Sequence, residues 1–138
     1  MSKNLFCTSM GVLGSWFALA VGGFDDAVIT LLICMGIDYI TGLIVAGVFH
    51  KSKKSENGAL ESKAGWKGLC KKGVTLAFVV IANRLDIQID STYIRDAVCI
   101  GFIANECISI IENAGLMGIR IPEVLTRAIE ILKEKESE

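Results

Sequence analysis

The chain has 138 residues, one domain's worth, of which 52% are apolar, with a net charge of −1 and a mean hydropathy of +0.54. That apolar content is high for a water-soluble fold of ordinary charge, and the near-neutral balance excludes a global field that would recruit nucleic acid. A single histidine, His50, and five cysteines at no metal-ligand spacing (Cys7, Cys34, Cys70, Cys99, Cys107) support neither a metal centre nor a Ser-His-Asp triad.

The apolar residues concentrate in 5–49, 73–82 and 97–119, separated by short charged stretches. This is the distribution of a multi-pass membrane protein, and it predicts one membrane domain over residues 1–138. The first run, 5–24, has 20 residues, about 30 Å as a helix, which matches the hydrocarbon core. Lys3 and the Ala18-Leu19-Ala20 triplet also fit a cleavable signal peptide, but the next run follows too soon for a secreted domain. That second run, 27–49, has 23 residues. Only Asp25, Asp26 and their neighbours separate the two, which predicts a tight helical hairpin. Gly14, Ala18 and Gly22 on the first helix, and Gly42 and Ala46 on the second, recur every four residues and are candidate helix-packing positions.

Residues 50–72 read as a basic loop. Lys51, Lys53, Lys54, Lys63, Lys67, Lys71 and Lys72 face only Glu56 and Glu61, seven against two for a balance of +5. Under the positive-inside rule these lysines set topology, placing the loop and the amino terminus in the cytoplasm. The stretch 73–89 begins apolar and ends with Asn83, Arg84, Asp86 and Gln88; it predicts a short third span or an interfacial helix. Residues 97–119 form another run of 23. The count is therefore three or four spans. In 122–136, Pro122 suits a first helical position, Glu123 complements the helix start, and Val124, Leu125, Ala128, Ile129 and Leu132 share one face, an amphipathic helix. The expected fold class is an all-α membrane protein, a small oligomeric bundle.

Polar residues inside the runs are the candidate functional groups. An ionised carboxylate at mid-bilayer costs about 2.5 to 3.5 kcal/mol on insertion scales, so Asp38 must face another helix or water. Thr41 and Gly42 lie one turn further on. Asn105, Glu106, Ser109, Glu112 and Asn113 fall within an arc of about 120° on a helical wheel. Such a stripe either lines water or is satisfied inside a bundle, with Arg84 or Arg95 as the expected cations for Asp38 or Glu106; Arg84 and Asp86 join the interhelix candidates. Catalysis would require a matched nucleophile, a metal set or a paired aspartate motif, and none is evident, so neither enzyme activity nor a cofactor is expected.

Four stretches in order, "MGIDYITGLI" (35–44), "ESKAGWKGLCKK" (61–72), "ANRLD" (82–86) and "ANECISIIENAGLMGIRIPEVL" (104–125), resemble the toxin-secretion/phage-lysis holin family of small bacterial membrane proteins. Arg84 departs from the more apolar residues typical of the family at that place. The resemblance implies a protein of the bacterial cytoplasmic membrane that self-associates among lipid and opens lesions for an endolysin or a large signal-less toxin, with no nucleic-acid partner. A small oligomeric ion or proton channel and a non-permeabilising lysis regulator of the same fold are the alternative expectations.

Overall fold

Residues 2–137 are described by a computed structural model, and over them the chain forms five α-helices and no strand: α1 (Lys3–Val21), α2 (Asp26–Gly47), α3 (Ser62–Ile89), α4 (Ile94–Leu116) and α5 (Glu123–Ser137). Local chemistry sets their ends. The Ser2 hydroxyl caps α1 by accepting from the Leu5 N–H, and the Asp25 carboxylate caps α2 by accepting from Val28. Gly22 stops α1 in the left-handed region at φ 85°, its N–H bonded back to the helix. A Cβ there would collide with the Asn83 amide and the Arg95 guanidinium. Gly22 is therefore both the terminator of α1 and a place where side chains of α3 and α4 approach its backbone closely.

α1 and α2 are long and apolar enough to cross a membrane. α3 and α4 have the length, at 28 and 23 residues, but carry charges within it. α3 corrects the expected 50–72 loop: it starts eleven residues before 73, at Ser62, so the true connection is 48–61. Lys63, Lys67 and Lys71 then lie at helical i, i+4, i+8 spacing and are exposed, whereas Lys72 turns inward.

The helices run alternately up and down. α2 and α4 lie side by side and parallel, pairing Asp25 with Arg95, Cys34 with Cys107 and Asp38 with Asn113. α3 is antiparallel to α4, with Phe78 against Phe102. The expected tight α1–α2 hairpin is not formed: α1 leans on α3, where the Asn83 Nδ2 donates to the Ala20 carbonyl at 3.2 Å, and Gly14 has no neighbour from another helix. Much of α1, including Leu5, Phe6, Leu13, Trp16 and Leu19, is consequently exposed. The core is an apolar layer of Val21, Val28, Leu31, Met35, Val79, Cys99 and Ile103. α5 folds back antiparallel along α4 with Ile129 and Leu132 half-buried, while Val124, Leu125 and Ala128 of the same expected face stay exposed. Its Glu136 lies so close to Gly101 that a Cβ on that glycine would come within 2.6 Å of the carboxylate.

One buried arginine ties the ends of three helices together. Arg95 donates through Nε to the Val21 carbonyl, through Nη2 to the Gly23 carbonyl at 3.0 Å, and through both Nη atoms to the Asp25 carboxylate at 2.7 and 2.9 Å. Its own backbone N–H, with those of Ile94 and the Ser91 hydroxyl, satisfies Asp86 at 2.8 to 3.0 Å. Asp86 is thus the cap of the α3–α4 turn, with no interhelical ion pair of its own among the described residues.

Two measurements check this arrangement. Cys34 and Cys107 have sulfurs 3.9 Å apart, so a variant keeping only these two cysteines, treated with iodine, should form an intramolecular disulfide seen as a faster band on a non-reducing gel. Arg95→Met should lower stability in detergent by about 3 kcal/mol, because it strands carbonyls and a carboxylate. The Arg95 guanidinium holds the Asp25 carboxyl below the usual carboxylate range, so Asp25 stabilises the fold fully above its unfolded pKa and loses that contribution as pH falls through the lowered folded value. The difference in melting temperature between wild type and Asp25→Asn should be flat from about pH 5 to 8 and shrink below about pH 4.

Candidate functional site

Asp38 answers its placement with a cation from the neighbouring helix. The Lys72 Nζ donates to Asp38 Oδ2 at 2.7 Å and to Glu106 Oε2 at 2.6 Å, joining α2, α3 and α4 at one level. All three side chains are at least 85% removed from solvent. Asn113 on α4 completes the cluster, its Nδ2 donating to Asp38 Oδ1 at 3.3 Å and to Thr41 Oγ1 at 2.9 Å; Thr41 in turn donates back to the Ile37 or Asp38 carbonyl. Gly42 lies beside it, and a Cβ there would make an ordinary contact with the Asn113 amide at 3.8 Å. Two carboxylates against one ammonium leave the cluster with a formal excess of one negative charge.

Asp38 is nine residues from the last residue of α2 and Lys72 ten from the first of α3, so the cluster lies about 14 Å inside the helix ends that carry the 48–61 connection. Between it and that connection is a cavity of about 200 Å³. Small residues on the facing helices (Gly42, Ala46, Gly65, Gly68) leave the space open, and Ser52, Ser55 and Leu60 of the connection line its far end. The Tyr39 hydroxyl crosses one wall to the Gly65 carbonyl at 3.3 Å.

The structure brings together Asp38, Thr41, Glu106 and Asn113 from the sequence-derived set, with Ser109 and Asn105 on the cavity wall. It leaves Glu112 exposed, beside a smaller cavity of about 60 Å³. The expected cations are corrected. Arg84 is exposed and joins no salt bridge among the described residues, Arg95 serves the opposite end of the bundle, and Lys72, taken for a topology-setting residue, is the actual partner. A signal for this exists in the sequence: Lys72, Leu76, Val79, Asn83 and Asp86 recur at i, i+4, i+7, i+11 and i+14, one face of a helix, and that face is the one α3 turns inward. Reading 50–72 as a loop hid it.

Comparison with known proteins adds a family. The sequence profile of the bacteriophage holin family matches residues 15–134. An uncharacterized protein of Clostridium perfringens strain 13 is 35% identical over 99% of this chain and 98% of its own length. One of Listeria monocytogenes is 38% identical over 93% and 88%. A probable holin of Bacillus phage phi105 is 32% identical over 75% of this chain and 71% of its own. No solved structure matches.

Lys72→Met leaves two buried carboxylates without a cation, and breaking a buried pair in this way costs about 3 to 5 kcal/mol. The variant should be poorly extracted as a folded species and melt well below wild type in detergent. Adding Asp38→Asn and Glu106→Gln to it removes the stranded charges and should recover most of the loss.

Proposed function

The chain belongs to the bacteriophage holin family, and from that premise we propose that it is a holin, which oligomerises in the bacterial cytoplasmic membrane and permeabilises it so that an endolysin or a large signal-less toxin leaves the cytoplasm. In this reading α1 to α4 all cross the membrane. The amino terminus, the 48–61 connection with Lys51, Lys53 and Lys54, and the end of α4 are cytoplasmic, while the turns at Gly22–Gly23 and Asp90 lie outside.

The observation that carries the mechanism is the Asp38–Lys72–Glu106 cluster. α3 and α4 are too charged to sit singly in lipid; the cluster lets the packed chain hold those charges by satisfying them internally. The same groups are equally satisfied by water in the lumen of an assembly. The closed bundle and a water-lined oligomer therefore differ by a modest free energy, and the cluster sets which is favoured as copies accumulate. The exposed apolar surface of α1, with Gly11 and Gly14 free of contacts, supplies a surface for lipid and for further copies.

The test is inducible expression in a bacterium while membrane potential, viable count and escape of a cytoplasmic reporter protein are followed together. A holin gives abrupt depolarisation with protein release. Ion leakage without protein release would instead identify a narrow channel, and silence alone, with altered timing when a holin is co-expressed, a lysis regulator. Asp38→Asn and Glu106→Gln should each shift the time of onset severalfold relative to wild type at matched expression; unchanged timing in both would remove the cluster from the mechanism.

A further inference from the structure

The cavity beside the cluster has a chemistry that the packed bundle does not itself satisfy. Its volume of about 200 Å³ exceeds the space several water molecules need. One end is charged, at Lys72, which uses two of its three N–H donors on Asp38 and Glu106. At the other end the Ser55 hydroxyl is buried with no hydrogen-bond partner among the described residues. A buried hydroxyl left without a partner is unfavourable unless water reaches it. Empty cavities that stay dry are lined by apolar side chains alone; in this one the Leu43, Ala46, Leu60 and Ala64 side chains share the wall with the Lys72 ammonium, the Asp38 and Glu106 carboxylates and the Ser55 and Ser109 hydroxyls. Beyond the cluster the character reverses: Leu31 and Val79 are completely buried, Met35 and Ile103 nearly so, and Cys99 closes the layer.

We propose that this cavity is a water-filled half-channel within the single chain, reached from the 48–61 connection, ending at the Asp38–Lys72–Glu106 cluster and sealed there by the apolar layer. Its ligand is water. The inference rests on the reading that the helices span the membrane with that connection in the cytoplasm. It adds that the cluster is hydrated from the cytoplasm before any assembly takes place, so that the barrier in each chain is the thin layer of Leu31, Met35, Val79, Cys99 and Ile103 and not the full length of the bundle.

The experiment is cysteine accessibility in the full chain. All five native cysteines are replaced, single cysteines are introduced as Ser109→Cys or Ala46→Cys on the cavity wall and Ile103→Cys in the apolar layer, and each is expressed below the level that depolarises cells. A membrane-impermeant cationic methanethiosulfonate is then applied to inside-out and right-side-out vesicles. Ser109→Cys and Ala46→Cys should be modified at least tenfold faster than Ile103→Cys in inside-out vesicles, and should be protected in right-side-out ones. Wall cysteines as slow as Ile103→Cys from the cytoplasmic side, or equally fast from both sides, overturn the half-channel. Reporter release from the same strains at full induction is scored separately: slow wall labelling with intact release rejects the half-channel alone, whereas fast one-sided labelling with no release rejects the holin reading and leaves the half-channel standing.

Discussion

A carboxylate in the middle of an apolar helix has to be matched inside the protein, and the pairing of Asp38 with Lys72 is the constraint from which much of the bundle follows. Lys72 reaches Asp38 and Glu106 at once only if α2, α3 and α4 meet at one level. That level requires α3 to begin well before its apolar segment, so that Lys72 lies within the helix. On the connection side of that level, Gly42 on α2 and Gly65 and Gly68 on α3 leave the facing helices apart around the cavity. Because replacement of one partner leaves a buried charge uncompensated, the three residues act as a unit and not as independent contacts.

The opposite end of the bundle solves a different problem. There the helices terminate, and their last carbonyls and first N–H groups need partners. Arg95 serves α1 and the α2 cap at once, and Asp86 collects the first N–H groups of α4. Two polar layers of different purpose thus bracket one apolar layer. The layer at the turns is pinned by bidentate geometry and backbone bonds, which favours rigidity; the layer at the cluster joins three helices through one ammonium and borders a cavity.

α5 is the element least dictated by a bilayer. It is amphipathic, lies back along α4 with few residues half-buried, and brings Glu136 against Gly101. Four consecutive charged residues, Lys133 to Glu136, are costly to hold beside a helix at membrane depth facing lipid.

The helical class, the apolar runs of α1 and α2, the Asp25-Asp26 turn and the candidacy of Asp38, Thr41, Glu106 and Asn113 were legible from hydropathy and helical spacing alone, because these depend on residue type and local period. The partner of Asp38 was not. Arg84 and Arg95 lie near the relevant runs in sequence, but helix phase turns Arg84 outward and the start of α4 at Ile94 puts Arg95 at the far end, while Lys72 arrives from a segment whose lysine density resembles a loop. The departure of α1 from α2 was equally hidden, since a short turn constrains where two helices start and stop but not whether their sides touch. The sequence by itself determined which residues must be buried or matched, through the cost of charge in an apolar medium. Only the tertiary structure decided which charge meets which, where a cavity opens between them and which helix stands apart, because those depend on the relative rotation and level of helices distant along the chain.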